Sequence, residues 1–445
     1  MNNTCHPVEI LKKLIRFNTT NPPGNEGECI GYIKDLMEDI GIEASIYAGV
    51  KNRPNLVCRM PGKGDAPPLM FYGHTDVVTT EKQDWKHPPF DGRELDGYVW
   101  GRGALDMKGG LAMMISAILA IKKQGTVPAG DIIFAALSDE EAGGDLGAKF
   151  LVENHANLFD GVRHAIGEFG GFSMYAQGRT FYPVQVAEKQ ACWLRAKITG
   201  PAGHGAMPMK GGAMGKLGRI LTCLDKKRLP VRITPVAREM IETFAGAMSF
   251  PANAILKQLL NPKLTDAVLA LMGAKGQPFE PLLRNTVNAT IVTGGDKVNV
   301  IPPEIILSLD GRLVPGATPE TFINELAPLL GRDTKIEIIR YDPPPPDSKT
   351  DPDTGFMDLI SRVIKQADPN GIPMPMLLPG VTDARFFSRL SIRTYGFLPM
   401  KLPEDFDFFS TIHAADERVP ISALEFGTEV LTDLLRRYGD KTVGG

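Results

Sequence analysis

His74 and Asp76 stand one residue apart at the end of an apolar stretch, LMFYGHTDVV, residues 69–78. An imidazole and a carboxylate at the end of a buried strand are costly unless something satisfies them. A metal-bound imidazole commonly donates its second ring N–H to a carboxylate, which fixes its tautomer and orientation. A His-x-Asp pair can supply that arrangement, and so can a hydrogen bond that only stabilises a turn. Three more acidic places follow: Asp106 in GRGALDMKGG (101–110), Asp139-Glu140-Glu141 in DIIFAALSDEEAGG (131–144) and Glu168 in HAIGEFGG (164–171). Alone, Asp106 reads equally as an N-cap at the mouth of an apolar helix, and the acidic run as a solvated loop.

Together these residues point to one chemistry. His74, Asp106, Glu140, Glu141 and Glu168 fall at strand ends or a helix start, where carboxylates without cations would repel one another. Divalent metal resolves the conflict, and a mixed His/carboxylate set suits zinc, with cobalt and manganese as alternatives. Adjacent glutamates can divide the labour, one binding metal and the other acting as general base to an activated water. Of the seven histidines, His6, His87, His155 and His164 sit in polar or terminal contexts that suit surface or structural roles. His74, His204 and His413 sit among glycines or carboxylates in loop-like sequence. A serine hydrolase is disfavoured because no Gly-x-Ser-x-Gly elbow is present, and no cysteine has a recognisable nucleophile context.

The elements that must position these residues alternate between strand and helix over the first 190 residues. Strand patterns fall near 43–47, 55–60, 69–73, 131–137 and 164–168, and helical patterns near 27–40 and 107–124, with Gly125 as a C-cap. That alternation predicts an α/β domain with a parallel or mixed sheet covered on both faces, and ligands beyond the strand ends. From about 190 the order becomes βαββαβ, a ferredoxin-like pattern, with an extra helical piece at about 230–285. A Pro-rich connector at 341–355 then returns the chain to helix and strand patterns near 354–367, 393–398 and 421–437. The expected organisation is a catalytic domain in two parts, 1–189 and 346–445, interrupted by a smaller α+β domain at 190–345.

Net charge is −3 with both signs interspersed, which argues against nucleic acid or an anionic membrane as the main partner. The longest apolar run, 109–121, suits a buried helix better than a membrane span. Five cysteines without a Cys-x-x-Cys pair read as free thiols, so a soluble, cytoplasmic protein is expected.

The ordered set TTNPPGNE, YGHTDVV, WGRGALDMKGG, SDEEAGG, GEFGG, TGPAGHGAMP, GGDKVNVIPP, DGRLVPG, GVTDARFF and IHAADERV resembles the dinuclear zinc peptidase family. That family includes aminoacylase-1, carboxypeptidase G, acetylornithine deacetylase and succinyl-diaminopimelate desuccinylase. The resemblance implies two Zn²⁺ per chain, Co²⁺ or Mn²⁺ being alternatives. It implies that Asp106 bridges both ions, with a cis peptide often following it. It gives His74 and Glu168 to one ion, Glu141 and His413 to the other, Asp76 to orienting His74, and Glu140 to general-base work. The 190–345 domain becomes a lid and dimerisation domain. Its His204 reaches a partner subunit's site to stabilise the oxyanion. Asn299, Arg312, Thr382, Asp383 and Arg385 fall near the substrate. The implied function is hydrolysis of an amide in a small carboxylate-bearing substrate, an N-acyl amino acid or a dipeptide. A strict dipeptidase or carboxypeptidase is the alternative, and a catalytically silent binding protein on the same fold a remote one.

Overall fold

The computed structural model of the chain describes residues 6–331, 333–342 and 354–440. Contacts divide it into two compact units, one of Met1–Val186, Pro345–Pro375 and Thr382–Gly445, the other of Ala187–Pro344 and Met376–Val381. Most of the connector expected at 341–355 lies outside the described residues.

The first unit is built on a mixed sheet. Its strands run in the spatial order Ala44–Tyr47, Asn55–Met60, Ile132–Leu137, Leu69–His74, His164–Gly167 and Arg393–Gly396, continued by Arg179–Glu188 and Gly371–Leu378. Leu69–His74 and Ile132–Leu137 are buried at every position, which is why their sequences are almost continuously apolar. Side chains alternate between two cores. Leu69 and Phe71 join Leu11, Leu111, Ile115 and Leu431 on one face, whereas Met70 and Tyr72 join Leu151, Phe386 and Phe387 on the other.

The four neighbours Ile132–Leu137, Leu69–His74, His164–Gly167 and Arg393–Gly396 run parallel. Their carboxyl ends therefore lie along one edge, His74 beside Leu137 and Phe71 beside Ile166. The helix Lys108–Lys123 starts just after Asp106 and packs its apolar length under the sheet. Gly73 permits this approach, since any side chain there would run into Met107 and Leu111.

Among the strands that the sequence patterns do not predict, two are long and belong to this sheet. Arg179–Glu188 contains Pro183, and Gly371–Leu378 contains Pro373 and Pro375. Proline removes a ladder donor and usually argues against a strand, and Gly371–Leu378 tolerates it at the sheet edge.

In the second unit an antiparallel sheet runs in the order Thr286–Thr293, Glu304–Leu313, Gln190–Thr199, Lys335–Tyr341. The helices Ala213–Lys226 and Pro319–Leu330 bury Leu217, Ile220, Phe322 and Leu326 against Leu194, Ile198, Ile305 and Leu307. Strict alternation of burial along Glu304–Leu313 marks a sheet covered on one face. Helices Pro235–Gly246, Ala252–Gln258 and Thr265–Met272 form the extra segment. No described helix is long and apolar enough to cross a membrane.

Candidate metal centre

The parallel strand ends deliver the acidic residues of the first unit to one place. His74 Nε2 lies 3.2 Å from Asp106 Oδ1 and 3.1 Å from Glu168 Oε2. His413 Nε2 lies 3.0 Å from the other oxygen of Asp106, Oδ2, and 3.3 Å from Glu141 Oε1. The result is two triads, His74–Asp106–Glu168 and Asp106–Glu141–His413, each with ligand atoms within 4.8 Å of one another. Asp106 belongs to both, offering one oxygen to each. The Asp106–Met107 peptide is cis.

The electrostatics call for cations. Burial and the neighbouring Glu168 charge push Glu140 well above the usual carboxylate range. Glu141 rises to about 7 through burial and the Asp106 charge. Hydrogen bonds to Asp106 and Glu141 raise His413 to about 10. Burial opposes protonation of His74, but Glu168, Asp106 and Asp76 hold its pKa well above the usual range. Protons thus favour Glu140, Glu141 and the two imidazoles, where divalent ions would compensate the charge directly. Glu141 Oε1 is a buried acceptor whose one nearby donor among the described contacts is His413 Nε2, at 3.3 Å. Nitrogen and carboxylate donors at these separations fit a pair of zinc-type ions.

Asp76 does more than the spacing suggests. The His74 Nδ1 is 2.9 Å from the backbone carbonyl of Asp76, while the nearer carboxylate oxygen is 3.6 Å away. The carboxylate instead accepts the backbone N–H of Glu140 at Oδ1 and of Glu141 at Oδ2, both at 3.1 Å, and the Asn21 amide at 2.8 Å. Asp76 therefore holds the ring most closely through its main-chain carbonyl, and its carboxylate, 3.6 Å from the same ring nitrogen, clamps the Glu140–Glu141 turn. The physical reason is that turn's exposed N–H groups, which a buried carboxylate satisfies better than a single ring nitrogen.

Asp139 enters the same turn in the left-handed region, φ +73°, and its carboxylate accepts from Arg53, Asn21 and the Leu146 amide. Arg53 in turn pairs with buried Glu26 at 2.8 Å. The sequence reading passed over Asn21, Arg53 and Glu26 as position-setting residues, although Asn21 and Glu26 lie in the TTNPPGNE stretch.

Of the residues expected near substrate, Arg385 donates to the carbonyls of Thr382 and Gly143, at 2.9 and 2.8 Å, and packs on Phe386. It braces the Glu140 turn. Asp383 is buried with neither carboxylate oxygen hydrogen-bonded, and burial raises it well above the usual range. Gly144, φ +70°, has no room for a side chain because Asp383 and Phe386 stand against it. Thr382 Oγ1 accepts the Ala384 amide.

His204, Asn299 and Arg312 belong to the second unit. His204 pairs with Val300 in a two-stranded ribbon, and the Gly205 amide donates to the Asn299 carbonyl, so the first two are neighbours. Arg312 makes a two-pronged ion pair with Asp310 on the same strand face, at 2.8 and 3.0 Å.

The family model for peptidase family M20/M25/M40 matches residues 70–437. The chain belongs to this family. Its sequence is 27% identical over 384 residues to the N-fatty-acyl-amino acid synthase/hydrolase PM20D1 of Homo sapiens, covering 83% of this chain and 74% of that one. It is 24% identical over 439 residues to aminoacylase-1 of Homo sapiens, covering 97% and 95% respectively. The fold resembles that of an M20 family metallo-carboxypeptidase from Sulfolobus solfataricus, with a TM-score of 0.68 and 17% identity over 99% of this chain and 100% of the other. As a family member, the chain is a hydrolase of the peptidase type.

Proposed function

We propose that this peptidase-family hydrolase holds two zinc ions and cleaves the amide of a carboxylate-bearing N-acyl amino acid. The observation that carries the reading is the pair of triads sharing Asp106. When bound, the ions supply an acidified water and polarise the scissile carbonyl. His74 and Glu168 would hold one ion and Glu141 and His413 the other, with Asp106 available to both.

Glu140 stands outside both triads and is half-buried, so it is left to move protons. It takes a proton from the attacking water, and the C–O bond forms as the carbonyl oxygen gains the negative charge. It then passes that proton to the amide nitrogen as the C–N bond breaks, releasing a carboxylate and an amine. His204 Nδ1 accepts the Ala206 amide at 3.1 Å, which leaves Nε2 carrying the proton on an exposed ring. That tautomer suits a donor to the oxyanion. We assign His204 to the site of a partner subunit, in a homodimer built on the second unit, with Asn299 beside it.

Arg312 must exchange Asp310 for a substrate carboxylate, and Thr382, Asp383 and Arg385 shape the wall behind the Glu140 turn. The four described cysteines are unpaired, which suits a cytoplasmic setting.

The deacylase reading draws support from similarity to the two acyl-amino-acid enzymes. Assays of zinc-loaded protein against N-acyl amino acids with short and long acyl groups, and against dipeptides, separate the readings. Higher kcat/KM for apolar N-acyl amino acids is expected. Turnover confined to free dipeptides would overturn the deacylase assignment in favour of a dipeptidase.

A further inference from the structure

Two fully buried, oppositely charged side chains lie outside both triads. Arg102 and Glu417 each have no measurable exposure, and their side chains meet at 2.6 Å, Arg102 Nη1 donating to Glu417 Oε2. Neither touches a ligand side chain among the described contacts. Both contact ligand backbone. Glu417 Oε1 accepts the amides of Leu105 at 2.8 Å and Asp106 at 3.2 Å. Arg102 Nη2 donates to the carbonyl of His413 at 3.2 Å and to Gln83 Oε1 at 2.7 Å. Gln83 Nε2 donates to the same His413 carbonyl at 2.8 Å. The guanidinium also lies over the Trp85 ring, 5.1 Å from its centroid.

The ion pair thus bridges two segments more than 300 residues apart in sequence. One carries Asp106 and the other His413, two of the three ligands of the second triad. His413 adopts φ +60°, a left-handed conformation that a non-glycine residue holds only where its surroundings enforce it. Donors from Arg102 and Gln83 converging on its carbonyl are such an enforcement. The His74–Asp106–Glu168 triad receives no comparable brace from this pair except at the Asp106 amide.

We infer that Arg102 and Glu417 are positioning residues that set the separation of Asp106 and His413, and so govern retention of the second ion. The inference rests on the dinuclear reading above. A buried ion pair adds little stability relative to apolar replacements, but removing one partner strands a charge. A pair retained in such a place gains its use from geometry. The two ligands it joins are too distant in sequence for local structure to align them.

The test compares wild type with the single variant Glu417→Gln and the double variant Arg102→Met/Glu417→Gln, which leaves no unpaired charge and guards against simple misfolding. Zinc per chain is measured after equilibration at buffered free zinc, with circular dichroism as the check on fold. Wild type should take up two ions. The folded variants should keep one ion at wild-type affinity and bind the second 10- to 100-fold more weakly, the loss typical when supports of metal ligands are removed. Excess zinc should restore much of kcat in the variants. Two ions bound with unchanged affinity in a folded double variant would overturn the inference while leaving the dinuclear reading intact. One ion or none in wild type would overturn both.

Discussion

Replacing Asp76 by asparagine separates the two jobs that the residue performs. The His74 ring is held by the backbone carbonyl of residue 76, which the substitution leaves in place. The carboxylate serves three donors, Asn21 and Glu141 at one oxygen and Glu140 at the other. An asparagine has one acceptor oxygen, so its amino group must face at least one N–H. With oxygen kept towards Asn21 and Glu141, the Glu140 amide is left without an acceptor. An unsatisfied buried donor costs about 1–3 kcal/mol. If the turn moves to relieve this, the penalty falls on the placement of the Glu140 carboxylate. At about 1.4 kcal/mol per factor of ten, kcat should fall roughly 5- to 150-fold. Steady-state kinetics at saturating zinc measure that loss. Zinc binding in a His413→Ala background, where only the His74 triad is complete, isolates the first ion. Its affinity should be unchanged by Asp76→Asn. A 10- to 100-fold weakening there, the size expected when a carboxylate orienting a metal-bound histidine is lost, would refute the reasoning.

Glu140→Gln should keep both ions and lose about 10²- to 10⁴-fold in kcat, the usual worth of a positioned general base; near wild-type turnover would remove Glu140 from its role. Stripping metal with a chelator should abolish turnover and lower the melting temperature. Zinc at about 100 times its Kd should restore roughly 2.7 kcal/mol of stability for one site, read by thermal unfolding. Lys189 is buried in the second unit against the Arg284 carbonyl and Thr286, and burial, with the nearby Arg312 charge, lowers its pKa to about 7. The unfolded chain therefore binds a proton between its ordinary pKa of 10.5 and about 7 that the folded chain does not. Stability from this group falls as pH drops through that window and then levels off. The melting temperature of Lys189→Met minus that of wild type should rise as pH is lowered from 9.5 to 7.5; a flat difference would contradict this.

Much of the site is legible because its residues occupy the ends of apolar runs. His74, Glu140–Glu141 and Glu168 each follow a strand whose pattern can be read, and parallel neighbours bring such ends together. His413 is different. Its partners lie more than 240 residues away, so only resemblance to a family suggested it. The identity of an acceptor was also hidden: His-x-Asp spacing cannot tell a carbonyl from a carboxylate, and the choice depends on the turn at Glu140–Glu141. The brace of Arg102, Gln83 and Glu417 is invisible for the same reason, although two of its members sit in WGRGALDMKGG and IHAADERV. The Asp310–Arg312 pair was legible in principle, since residues two apart on a strand share a face. Arg385 was not, because its acceptors are backbone carbonyls, one of them in a distant loop.

The central claim is that Asp106 joins two metal ions. Anomalous diffraction from crystals of the full chain equilibrated with zinc, recorded on either side of the zinc edge, tests it most directly. The account predicts two peaks about 3.5–4 Å apart, one beside His74 and Glu168, the other beside Glu141 and His413, with Asp106 contacting both. A single peak, or two peaks of which only one touches Asp106, would contradict it.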